Sequence, residues 1–73
     1  MKSLYDFFPE EIKRRRIEMG LNRHALAKKM GMKRDCIDKW ETGASLPRVD
    51  SLCDLADAFG CTTDELLGRG KDG

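Results

Sequence analysis

The sequence predicts an all-α fold, a compact bundle of five short helices. Three observations carry that prediction. Pro9, Gly20, Gly31, Gly43, Pro47, Gly60 and Gly68 punctuate the 73 residues at helix-length intervals. No stretch shows sustained period-two alternation with β-branched residues. Between the punctuation marks, apolar residues recur at three- and four-residue spacing, the stripe of an amphipathic helix. A chain of this length predicts one domain, here residues 9–68, with residues 1–8 as an N-terminal arm and residues 69–73 as a flexible tail.

The first helix is expected to start at Pro9, a favoured first-turn residue, with Glu10 and Glu11 at the positive end of its dipole. At about 100° per residue, Phe8, Ile12 and Met19 share a stripe that also contains Arg16. Gly20 ends this helix, and Asn22 is suited to cap the second, whose inner stripe is Leu26 and Met30 with Ala27 permitting close approach. Gly31 ends the second helix, and a short turn leads to a third over 34–42, stopped by Gly43. The fourth runs to about Phe59 and buries Val49, Leu52, Leu55, Ala56 and Phe59, with Cys53 at the stripe's edge. After Gly60, Thr62 and Glu65 form a capping-box pattern for a last short helix holding Leu66 and Leu67.

Composition removes several function classes. Apolar residues are 40% and charged residues 37% of the chain, which fits a folded domain. Apolar runs such as Phe7-Phe8 reach three residues at most, too short for a signal-peptide core or a membrane span, so a cytoplasmic protein is expected. Cys36, Cys53 and Cys61 lack CxxC spacing and His24 stands alone, so the sequence predicts reduced thiols, no metal and no cofactor. No nucleophile–base pair, carboxylate dyad or Gly-rich phosphate loop is present, so neither an enzyme nor a small-molecule site is expected.

The net charge of +1 conceals an asymmetry. Residues 10–40 carry ten Lys/Arg against five Asp/Glu, whereas residues 41–73 carry three against seven. Affinity for a polyanion depends on where charge sits rather than on its total, and here it sits in the front half.

Two short helices joined by a tight Gly-containing turn form a helix-turn-helix pattern. On a wheel of the third helix, Arg34, Asp35, Asp38, Lys39 and Thr42 fall within about 140°, while Cys36, Ile37 and Trp40 occupy the opposite arc. One face packs and the other presents hydrogen-bonding groups, the division a helix in a DNA major groove requires. Any surface helix also has a charged face, so this division alone does not decide the matter.

The run from Asn22 to Gly43, NRHALAKKMGMKRDCIDKWETG, resembles the core of the Cro/repressor-type (XRE) helix-turn-helix family. The resemblance continues through Pro47, Leu52, Leu55-Ala56, Phe59-Gly60 and Glu65-Leu66-Leu67, and so covers residues 9–68. It implies the lambda-repressor-like fold, with helices two and three as the DNA-reading unit. Carried over by position, Arg34, Asp35 and Lys39 fall where the family touches base edges, with Asp38 beside them. Arg34 and Lys39 can address guanine O6/N7, and Asp35 or Asp38 can accept from cytosine N4. Alternatively the two carboxylates pair with Arg34 and Lys39 within the helix.

Phosphate contacts are implied for Asn22 and Arg23, at the start of the second helix where free N–H groups favour an anion. Lys33, Thr42 and Arg48 are expected to be phosphate-facing as well. Two departures stand out: Arg23 replaces a common Gln, and Lys33 replaces the usual Ser or Thr cap. The loop Ala44-Ser45-Leu46 lacks a cation, which predicts modest affinity. On its stripe, Arg16 either finds a buried acceptor or snorkels to water, and the resemblance implies Glu41 as the acceptor. Trp40 reads as core rather than as a base-stacking ring.

Together these readings predict a sequence-specific double-stranded-DNA-binding transcriptional regulator. It is expected to act as a repressor and a homodimer, with Leu4, Tyr5, Phe7, Leu66 and Leu67 as candidate dimer contacts. Phe7 and Phe8 also read as a lid on the first helix, the reading preferred for them. The competing class is an antitoxin-like or adaptor module whose acidic back half binds a protein partner.

Overall fold

The computed structural model describes residues 4–68, with the backbone alone for Leu4 and Tyr5. These residues form α1 (Leu4–Glu18), α2 (Arg23–Met30), α3 (Arg34–Thr42), α4 (Val49–Phe59) and α5 (Thr63–Leu66). No strand occurs among the described residues, and no helix there is long and apolar enough to cross a membrane. The core draws on every helix: Phe8 and Ile12 from α1, Leu26 and Ala27 from α2, Ile37 and Trp40 from α3, Leu55 and Ala56 from α4, and Leu66 from α5. Burying these side chains offsets the ordering of a chain whose individual helices are too short to be stable alone.

Three expectations about this core need correction. Helix α1 begins at Leu4, so Pro9 lies inside it. An internal proline forfeits a backbone bond; here Phe8 and Pro9 are both buried beside Ile12, and that packing outweighs the loss. Met19 is exposed because the helix stops at Glu18. The chain turns at Gly20, the Leu21 N–H bonds the Arg16 carbonyl at 3.1 Å, and Leu21 packs on the core in its place. Val49, expected inside, is 78% exposed. It occupies the first position of α4, roughly 60° round the helix from Leu52, and projects past the bundle.

Side-chain caps explain where α2 and α5 begin. Asn22 Oδ1 accepts from the Ala25 N–H at 2.7 Å, while Lys33 at the same place before α3 makes no side-chain cap bond. Thr62 and Glu65 form the full capping box: the Thr62 hydroxyl accepts from Glu65 N–H, and Glu65 Oε1 accepts from Thr62 N–H. Those bonds, backbone first, hold the Glu65 carboxyl below its ordinary value. Gly31 ends α2 at φ 70°, a conformation that lets Met32 N–H reach the Ala27 carbonyl and swings the chain into α3.

Of the candidate dimer contacts, Leu66 is removed, since it is fully buried. Phe7 lies across the end of α5, its ring 3.0 Å from where a Cβ on Gly68 would stand. Leu67 lines an apolar groove of about 150 Å³ with Phe8, Leu46, Pro47 and Leu52. The side chains of Leu4 and Tyr5, and the tail 69–73, lie outside the described residues.

Candidate nucleic-acid interface

Helix α3 is anchored by its apolar arc, with Ile37 and Trp40 buried and Cys36 half-buried against the core. The opposite arc presents Arg34, Asp35, Lys39 and Thr42 to solvent. Asp38 departs from that group: it is half-buried and turned toward α2. Thr42 donates its hydroxyl to the Lys39 carbonyl at 3.3 Å, which settles the last turn of α3.

Most of the residues expected at phosphates stand at the starts of helices. Asn22 and Arg23 open α2, where no acidic side chain occupies the first turn. Lys33 precedes α3 and Arg48 precedes α4, both exposed and neither making a side-chain cap bond. An open cleft of about 350 Å³ separates the starts of α2 and α3, lined by Arg16, Asn22, Arg23, His24 and Arg34. Three guanidinium groups thus line one cleft.

Beneath the cleft runs a chain of alternating charges. The Glu41 side chain is fully buried and accepts from Arg16 Nε at 2.6 Å and Arg16 Nη2 at 3.1 Å. Arg16 also donates from Nη1 to the Leu21 carbonyl at 2.9 Å. The bonds to Glu41, opposed by burial, hold the Arg16 guanidinium above its ordinary value. Glu41 Oε1 further accepts from Arg23 Nε at 3.2 Å. Arg23 Nη1 then stands 3.5 Å from Asp38 Oδ1, and Asp38 Oδ2 stands 3.5 Å from Arg34 Nε. The succession Arg16, Glu41, Arg23, Asp38, Arg34 therefore ties α1 and α2 to the exposed helix.

Sequence reasoning on these residues did not reach the double engagement of Arg23. Glu41 is 18 residues away along the chain, and only the angle between α2 and α3 brings the two together. The pairing of Asp38 with Arg34 is one of the two roles foreseen for that carboxylate; its contact with Arg23 across the turn was not foreseen.

Comparison with known proteins agrees with this architecture. A helix-turn-helix family model matches residues 12–66, which include the whole of α2, α3 and α4. The HTH-type transcriptional activator BcrR of Enterococcus faecalis is 35% identical over 60 residues, covering 82% of this chain and 29% of that protein. The chain thus spans less than a third of that relative's length. No solved structure matches. By the extent of the family match, and with α2 and α3 joined through a left-handed Gly31, the chain belongs to the helix-turn-helix family of the Cro/repressor (XRE) type.

Proposed function

We propose that this chain is a sequence-specific, double-stranded-DNA-binding transcriptional regulator that lays α3 in the major groove. The observation that carries the reading is the exposed arc of α3, anchored from behind by Ile37 and Trp40 and bordered by the arginine-lined cleft at the starts of α2 and α3. Arg34 and Lys39 address guanine, and Asp35 accepts from cytosine. Asn22, Arg23, Lys33, Thr42 and Arg48 contact phosphates, fixing orientation without reading sequence. The absence of a coherent acid–base or nucleophilic set among the motifs favours a binding role over a catalytic one.

As a dimer, the protein would place two copies of α3 about 34 Å apart, one helical turn of DNA. Covering a promoter in that way blocks polymerase, so the steric reading is repression. The BcrR relative is named an activator, and the sign of regulation follows from where the operator lies relative to the polymerase.

Selection of bound duplexes from a random library, at low and near-physiological salt, tests the reading. A motif with two-fold symmetry and half-sites one turn apart is expected. Binding that disappears with salt and enriches no sequence is phosphate attraction alone, and would transfer the assignment to the adaptor class with a protein partner.

A further inference from the structure

We propose that Asp38 is a positioning residue rather than a base reader. Held between Arg23 of α2 and Arg34 of α3, its carboxylate orients the Arg34 guanidinium and offsets the charge that both arginines show to phosphate, raising discrimination at the expense of affinity. The inference rests on the proposed DNA-binding function and deepens it.

Three observations support it. First, Asp38 Oδ1 is buried and makes no hydrogen bond, although the side chain as a whole is 29% exposed. A carboxylate that accepts from cytosine N4 must present its oxygen to the groove, and this oxygen is turned inward toward Arg23 Nη1. Asp35, three residues earlier, is exposed and has no such constraint. Second, the nearest approach of Asp38 Oδ2 to Arg34 is at Nε, 3.5 Å away. An ion pair centred at Nε biases the planar fork at its base and leaves its tip toward the paired acceptors of guanine. Arg34 is otherwise well exposed, so an unrestrained side chain would sample many rotamers and lose entropy on reading a base.

Third, the same carboxylate reduces the charge that the cleft shows to DNA. Three arginines line that cleft, Glu41 engages two of them, and Asp38 engages Arg23 and Arg34. Removing the Asp38 charge leaves Arg34 without its carboxylate and Arg23 with Glu41 alone. Both then attract phosphates of any sequence more strongly. Specific binding is defined by the ratio to non-specific binding, so a residue that lowers the second raises the ratio without touching a base.

The test compares the wild-type chain, Asp38→Asn, Arg34→Ala and the double variant Arg34→Ala/Asp38→Asn in the duplex selection, with titrations of a random-sequence duplex over a range of salt. Asp38→Asn is expected to relax the base pair read by Arg34 about fivefold to tenfold. It should also tighten random-duplex binding about twofold to fivefold and steepen the salt slope by up to about 0.9. In the Arg34→Ala background, Asp38→Asn should change no base preference. A DNA-free readout accompanies these: the Nε–Hε signal of Arg34 in a nitrogen-15 NMR spectrum should exchange faster in Asp38→Asn. Loss of a cytosine preference at a different base pair, retained in the Arg34→Ala background, would make Asp38 a base reader and overturn the proposal. Unchanged specificity and unchanged Arg34 exchange would overturn it too. A wild-type chain that enriches no motif refutes the DNA-binding reading itself, an outcome that the wild-type arm reports independently of any variant.

Discussion

Replacing Glu41 with methionine removes an acceptor that Arg16 uses twice and Arg23 once, while roughly preserving side-chain volume. Stripping one partner from a buried ion pair costs about 3–5 kcal/mol, because the other charge remains desolvated. The lower end applies here. Arg16 keeps its bond to the Leu21 carbonyl, and Arg23, 38% exposed, can turn to water. The expected loss is therefore about 3 kcal/mol, out of the roughly 4–11 kcal/mol typical of a domain of this length. For a domain of this size that corresponds to a fall in Tm of about 12–24 °C. Arg16→Met should cost less, about 1–2 kcal/mol, since Glu41 still accepts from Arg23 at 3.2 Å. The double variant should return to within about 1 kcal/mol of the wild type, because an apolar pair replaces a desolvated ionic one. Urea unfolding at 25 °C, followed by far-ultraviolet circular dichroism and by the fluorescence of the single tryptophan, Trp40, measures all three. A loss below about 1 kcal/mol in Glu41→Met, or a double variant that loses the sum of the two singles, refutes the argument that this pair anchors α3.

Four further outcomes are expected. Asn22→Ala removes the cap bond to Ala25 N–H and should cost about 1 kcal/mol in urea unfolding. Lys33→Ser supplies the side-chain cap that α3 lacks, so it should add about 0.5–1 kcal/mol of stability; it should also lower the slope of binding against salt by about 1, an opposition that melts and titrations on one sample would expose. Leu26→Ala opens a cavity at a fully buried site and should cost about 2–5 kcal/mol, read from the same unfolding curves. Acid should destabilise the fold through Glu65 and Glu11: hydrogen bonds from Thr62 lower the Glu65 carboxyl, and at Glu11 burial acts upward but the bonds from Arg14 and Arg15 outweigh it. Groups lowered in the folded state contribute fully above the unfolded value, so this stabilisation disappears as pH falls through the ordinary 4.5 and then through the folded values. Tm recorded from pH 7 to pH 3 should decline, less steeply in Glu65→Gln, and a flat profile would contradict the sign.

The five helices were legible because the punctuation is local. The left-handed glycines that end α2, α3 and α4, the Asn22 cap and the Thr62–Glu65 box each act within a few residues, and each acts where the sequence puts it. What local pattern could not supply is the competition between elements. Pro9 reads as a start signal, yet the burial of Phe8 and Pro9 draws the helix back to Leu4. Met19 and Val49 sit on or near apolar stripes, yet one follows the last turn of its helix and the other precedes the part of α4 that meets the core.

The same distinction separates the two halves of the candidate interface. Arg34 and Asp38 are four apart on one helix, so their proximity is written in the helical repeat. Arg23 meets Asp38 and Glu41 from another helix, at a distance set by how α2 crosses α3. Gly31 admits that turn through its left-handed backbone, and the burial of Leu26, Ala27, Ile37 and Trp40 holds its angle. The charge on the exposed arc of α3 is thus governed by residues packed behind it. If Asp38 sets the posture of Arg34, the specificity of the exposed arc depends on the packing behind it, and small changes at the α2–α3 contact should alter base preference before they alter the fold.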